Sequence, residues 1–283
     1  MPEQEMPDTR SRWEKRLRAI VESPDDDRPR LSFASALDYE EKTELRHPHE
    51  RADFIRTQLK LARIQLGHPE WLALSAREQL LWNRYGDDWL PFGFRNDAIA
   101  ETRYFRGFPC HLTLRAFASA DFNLDILQEA PIEHIDIIGT DEKFQVEVTL
   151  NWLVESGLTN RIVSLALDAQ GLNDRHAKQL SGIEFPKLKW LSLTDNRFES
   201  PGVAILIERF QKLRFVDLDG NPGDPHDVLE YDQGIVIERD LGDVPDYVPD
   251  APWLHPPVRG GRAIYPSRYR MTRPRDSGRF QEA

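Results

Sequence analysis

At 283 residues, 40 % hydrophobic and 30 % charged, the chain has the balance of a globular protein with room for one extended core or two smaller ones. Its mean hydropathy of −0.59 and the lack of any run of roughly 18 apolar residues exclude a membrane span, and MPEQEMPDTRSRWEKR has no apolar export core. The net charge of −11 excludes a uniformly basic nucleic-acid binder, and the single cysteine, Cys110, excludes an intramolecular disulfide or a CxxC site, so the expected compartment is cytoplasmic.

In chain order, Trp13, Leu17, Ile20 and Val21 fall on one helical stripe, followed by the stop and restart chemistry of SPDDDRP. A second helix is expected to be capped by Asp27, to carry Pro29 in its first turn and to bury Leu31, Ala34 and Leu37. Ile55, Leu59, Ala62 and Leu66 predict a third helix closed at Gly67. Ser75 to Glu78 reads as a capping box opening a fourth through Leu81 and Tyr85 to Gly86. Residues 1–92 are therefore expected to form a helical domain.

After Gly107 short apolar strings recur. Ile162-Val-Ser-Leu165-Ala-Leu167-Asp-Ala-Gln170 aligns with Leu188 to Asn196 and with Leu213 to Asn221, at offsets of 26 and 25. A looser copy, Ile132-Glu-His-Ile135-Asp-Ile137, lies 30 residues earlier. This is the LxxLxLxxN pattern of a leucine-rich repeat, in which a short strand sends its apolar positions into a stacked core while the Asn side chain bonds backbone at the turn. Chance αβ alternation is the plainer alternative, and Gln170 is an imperfect substitute for Asn. Helical return arms follow from Ser200-Pro201, read as a cap and a first-turn proline, with Val203, Leu206 and Phe210 at helical spacing, and from Ala177 and Leu180 one repeat earlier. The fold class is thus α/β: a helical N-terminal domain, a short solenoid of parallel strands with helical return arms over 93–242, and a Pro/Arg-rich tail over 243–283 expected to be extended or disordered. Gly234 to Ile237 is a candidate edge strand capping the array.

Two pairs of stretches carry a family resemblance: AIVESPDDDRPRLSFASALDYEE with RADFIRTQLKLARI, and REQLLWNRYGDDWL with YFRGFPCHLTL. They resemble the repeat-companion domain of bacterial leucine-rich-repeat proteins, through Pro24 to Asp27, Pro29 to Leu31, Phe33, Ala34, Phe54 to Arg56, Gln58, Leu61, Ala62 and Arg106 to Phe108. The likeness spans roughly residues 13–222. Ser35 and Ala36 stand where the family usually has Asp-Trp, which implies that a polar contact is missing there. The resemblance implies a helical head fused to ribonuclease-inhibitor-like repeats, and it implies no reaction and no catalytic residue.

No GxxxxGK, GxGxxG, HExxH or GxSxG motif occurs. Asp217-Leu-Asp219-Gly-Asn221 begins like a calcium loop, but Pro222 takes the place of the turn glycine and Val228 that of the bidentate Glu, so no metal is expected. His47, His49 and Glu50 read as a surface loop around Pro48, and Cys110 reads as a small buried side chain. No cofactor is expected, and the chain is read as non-enzymatic, with a cryptic enzyme using His134, Asp136 or Cys110 as the weakest alternative.

The candidate binding residues lie on the strand face turned away from the apolar core. Period-two alternation puts Ser164, Ala166, Asp168, Trp190, Ser192, Thr194, Phe215, Asp217 and Asp219 there, with His134 and Asp136 extending the row. Trp190 and Phe215 are expected side by side and exposed, as anchors for a partner protein with a basic surface, unless the tail or a loop covers them. The tail arginines Arg259, Arg262, Arg268, Arg270, Arg273, Arg275 and Arg279 face only Asp276 and Glu282 after residue 255, giving that segment +5 and the rest of the chain −16. Nucleic-acid binding through this tail is the second reading, opposed by the acidic body; the tail is also expected to recognise the acidic strand face, within one chain or between two. Membrane binding is not expected.

Overall fold

The structure is a computed structural model and describes residues 9–39, 45–64, 68–90, 98–115, 130–138, 146–210, 213, 215–218 and 220–223. Four helices come first: α1 (Thr9–Glu22), α2 (Asp27–Tyr39), α3 (Pro48–Leu61) and α4 (Trp71–Trp89). Strands β1 (Ile99–Phe105), β2 (Phe108–Arg115) and β3 (His134–Ile138) follow, then α5 (Val146–Glu155) and a short 3-10 turn (Leu158–Asn160). The chain continues through β4 (Ser164–Ala166), α6 (Asp174–Ser181), β5 (Trp190–Ser192), α7 (Ser200–Arg209) and β6 (Phe215–Asp217). The fold is mixed α/β. No helix among the described residues is long and apolar enough to cross a membrane.

In the helical part the expected stripes bury Ile20, Phe33, Ala34, Leu37, Ala52, Ile55 and Leu59 together, with Trp13 and Leu17 packed against them. Leu31, expected inside, is 37 % exposed, because Arg30, Phe33, Ala34, Ala36 and Leu37 form the inward face of α2. The cap of α2 is also one residue earlier than expected: Arg28 N donates to Asp26 Oδ1 at 2.9 Å, while Asp27 is the first helical residue and pairs with Arg63 at 2.7 Å. Nor do Ser75 and Glu78 open a helix. The helix α4 begins at Trp71, and Ser75, Glu78, Leu81, Trp82, Gly86 and Trp89 form its buried face. The S-x-x-E spacing of a capping box is also one turn of an inward stripe, and here Glu78 accepts from Gln58 Nε2 at 2.8 Å. Gly86 continues the helix instead of ending it, lying so close under the Trp82 ring that a Cβ would be 2.7 Å from Cδ2. Leu66 and Gly67 lie outside the described residues.

The hairpin of β1 and β2 joins this helical part to the sheet. Its turn places Arg106 and Gly107 at φ 51 and 88, the left-handed pair that a two-residue hairpin turn requires. Gly107 meets α3 so closely that a Cβ would lie 2.6 Å from Ile55 Cγ1. Its amide donates to Gln58 Oε1 at 2.5 Å and its carbonyl accepts from Arg51 Nη2 at 2.6 Å. The flanking Phe108 packs with Ile20, Phe33 and Ile55, and Tyr104 packs with Phe54, Leu81, Trp82 and Trp89.

The six described strands form one sheet in chain order, antiparallel between β1 and β2 and parallel from β2 to β6. The repeated apolar positions all point into one core: Ile132, Ile135 and Ile137, Ile162, Leu165 and Leu167, Leu188, Leu191 and Leu193, and Leu213, Val216 and Leu218. The helices behind contribute Ala177, Leu180, Val203, Leu206 and Phe210 to the same core. Ser200 is the first residue of α7 and Glu199 occupies the cap without a side-chain bond, so the expected Ser200 cap is displaced by one position. Asp174, at the start of α6, accepts from Glu199 N at 2.9 Å and ties the residue before α7 to α6.

The turn after each strand repeats as well. Asn196 Oδ1 accepts from Gln170 N and Leu172 N, both at 3.0 Å, and its Nδ2 donates to Leu167 O and Leu193 O, both at 2.9 Å. One repeat on, Asn221 accepts from Phe198 N at 3.1 Å and donates to Leu193 O and Leu218 O at 2.8 Å. Gln170 reaches Ile137 O at 3.2 Å and Asp168 O at 2.8 Å, so the longer amide bonds the same class of carbonyl. Ala169, Asp195 and Gly220, each directly before the amide residue, have φ of 55, 53 and 71, a left-handed step that the apolar spacing alone does not foretell.

Candidate functional site

Pairing register converts the outward strand positions into rows that cross the sheet. One row runs His111, His134, Ser164, Trp190, Phe215; the next runs Thr113, Asp136, Ala166, Ser192, Asp217. Asp168 and Thr194 continue β4 and β5 beyond these rows. His111 is not among the residues expected on this face from the repeats. Alternation in Cys110-His111-Leu112-Thr113-Leu114, with Leu112 and Leu114 opposite Ile135 and Ile137, was the available signal.

The expected exposure of Trp190 is corrected by the structure. Trp190 is 5 % exposed, and His134, Ser164, Ser192 and Asp217 are buried with it. The Phe215 backbone lies directly across from Trp190. The Phe215 side chain, Asp219, the candidate strand at 234–237 and all the tail arginines lie outside what is described. The reachable part of the face is at the C-terminal ends of the strands: Asp136, Ala166, Asp168 and Thr194 are half-buried, Ile138 is 45 % exposed, and Asp195 stands in the open turn.

Two carboxylates on this ledge are held in place. His111 Nε2 lies 2.8 Å from Asp136 Oδ2, so Asp136 fixes the ring of a buried histidine. Asp168 Oδ1 accepts from Ser192 Oγ at 2.6 Å and from Thr194 N at 2.9 Å. Burial raises the Asp168 pKa, the Ser192 and Thr194 bonds oppose the rise, and the charge of Asp136 adds to it. His134, beside His111 with ring centroids 6.3 Å apart, is pushed well below its usual range by burial first and then by His111 and Lys189. Among the described residues, no Lys or Arg lies within ion-pair distance of Asp136 or Asp168.

His47 lies 3.5 Å from Asp88 with its ring tilted against Tyr85, centroids 4.5 Å apart, and His49 lies 3.5 Å from Asp38, so the two histidines turn to different acids. Among the described residues, no group of three or more His, Cys, Asp or Glu side chains is placed to hold a metal ion. Cys110 is buried with Sγ 3.7 Å from Arg103 O, and burial pushes its thiol pKa upward, away from the reactive thiolate. Comparison with known proteins returns no matching family model, no matching curated protein and no matching solved structure.

Proposed function

We propose that the chain is a non-catalytic protein–protein interaction module, a cytoplasmic leucine-rich-repeat protein with a repeat-companion head. In this reading the array is a short ribonuclease-inhibitor-like solenoid of about four to five repeats, and the C-terminal ledge of its strand face binds a basic segment of a partner protein. One observation carries it: Asp136 and Asp168 are oriented and half-buried on neighbouring strands, with no Lys or Arg among the described residues paired to them and the exposed Ile138 beside them. Carboxylates already fixed by hydrogen bonds lose little freedom on meeting a guanidinium or ammonium, and an aliphatic neighbour shields the contact from water. In this reading the buried Trp190 is not the anchor of the ledge.

The test is selection of a random displayed peptide library on the full chain, repeated with an Asp136→Asn, Asp168→Asn variant. Peptides enriched in Arg and Lys, retained by the parent chain and lost by the variant at unchanged far-ultraviolet circular dichroism, support the ledge. Selection without basic enrichment, or equal retention by the variant, overturns it. Binding of oligonucleotides that falls steeply with salt and ignores both substitutions favours the alternative role as an accessory nucleic-acid binder acting through the Arg-rich tail.

A further inference from the structure

The head and the hairpin enclose a cation that no acid among the described residues balances. Arg51, in the first turn of α3, is buried, and its Cζ lies 5.5, 5.2, 5.2 and 5.3 Å from the ring centroids of Phe54, Trp89, Tyr104 and Phe108. Its Nη2 donates to Gly107 O at 2.6 Å. No carboxylate among the described residues pairs with it, and burial lowers its pKa to about 10, so it stays charged at neutral pH. The positive end of the α3 dipole adds to the imbalance.

Two donors there have no acceptor. Arg51 Nη1 is buried without a hydrogen-bond partner among the described residues, and so is Nε1 of Trp89, one of the four rings on the guanidinium. The ring faces attract the cation, yet they replace neither a hydrogen-bond acceptor nor a counter-charge. A single species answers both needs: an acceptor that is small, because aromatic rings surround the guanidinium, and negative, because its neighbour is an uncompensated cation. We infer that Arg51 Nη1 and Trp89 Nε1 form a buried site for one small monovalent anion of the halide class, which locks the helical head onto the hairpin.

The experiment follows thermal unfolding of the full chain as chloride replaces methanesulfonate at constant ionic strength, for the parent and for Trp89→Phe, which keeps a ring and removes one donor. Above the dissociation constant, a tenfold rise in chloride should lower the unfolding constant of the parent roughly tenfold, and that of Trp89→Phe clearly less. Crystals grown in bromide should show an anomalous peak beside Arg51, which decides the matter if Trp89→Phe does not fold. Stability indifferent to chloride, equal chloride dependence in both proteins, or bromide found only elsewhere means that the two donors hold water or nothing, and overturns the site.

Discussion

Asn196 reaches back across the sheet to Leu172, whose amide donates to its Oδ1 at 3.0 Å inside the turn of the preceding strand. The same side chain serves Gln170, Leu167, Leu193 and Thr194, so it holds two consecutive turns together. Asn196→Leu keeps the volume and leaves several backbone groups buried without partners, at a cost of about 1–3 kcal/mol each before relaxation. The expected outcome is a large fall in the urea midpoint. Asn221→Leu, at a half-buried position with three such bonds, should fall less. Equal and small effects at both positions would remove the turn ladder as a source of stability.

Gly202 is required by the carboxylate of Asp174, which occupies the space a Cβ would need. Asp174 is in turn committed to Glu199 N at 2.9 Å. Gly202→Ala should therefore destabilise by about 1–3 kcal/mol, although alanine is the better helix former. In an Asp174→Ala background the same change should cost much less, and a double-mutant cycle measures the difference. Additive effects of the two changes sink the explanation.

Two groups shifted by desolvation, the buried His134 and the half-buried Glu133, make stability depend on pH with opposite sign. His134 has its pKa depressed below 6.5, so the unfolded chain binds more protons and His134 makes stability fall as pH drops below that value. Glu133, raised from 4.5 to about 7 by burial and then by Asp25, against Arg30, Lys187 and Arg106, holds its proton in the folded state and makes stability fall as pH rises through that interval. The two slopes, each up to about 1.4 kcal/mol per pH unit, oppose each other between 4.5 and 6.5. Compared with the parent, His134→Gln should lose stability more steeply as pH rises there, and Glu133→Gln should gain it. Urea unfolding at several pH values checks this, and two variants with parallel profiles would contradict it.

Phe108 belongs to a strand of the sheet and yet fills the core built by α1, α2 and α3. Phe108→Ala should cost about 3–5 kcal/mol. Because the residue belongs to both parts, the helical signal and the tryptophan fluorescence should shift to lower denaturant together. Loss of the helical signal alone, with the sheet transition unmoved, would show that the two parts unfold independently.

Much of this protein is legible in its sequence because the relevant forces are local or periodic. The apolar positions from Ile132 to Leu218 predict strands and core at the observed places, and the amides of Gln170, Asn196 and Asn221 bond turn backbone as their position implies. Ser75-x-x-Glu78 and Gly86 carry cap signals yet lie inside α4, because one helical turn separates inward residues by the same spacing as a cap, and only packing on Trp82 and Gln58 tells the two apart. Alternation assigned Trp190, His134 and Asp217 to the correct face. Whether that face meets solvent is decided by what the rest of the chain packs against, and alternation carries no information about it. The pairing of His111 with Asp136, the enclosure of Arg51 by four rings and the opposition of Glu133 to His134 each join residues that are distant in the chain or depend on burial. Tertiary structure alone sets these, since desolvation and hydrogen-bond geometry depend on position in space rather than on spacing along the chain.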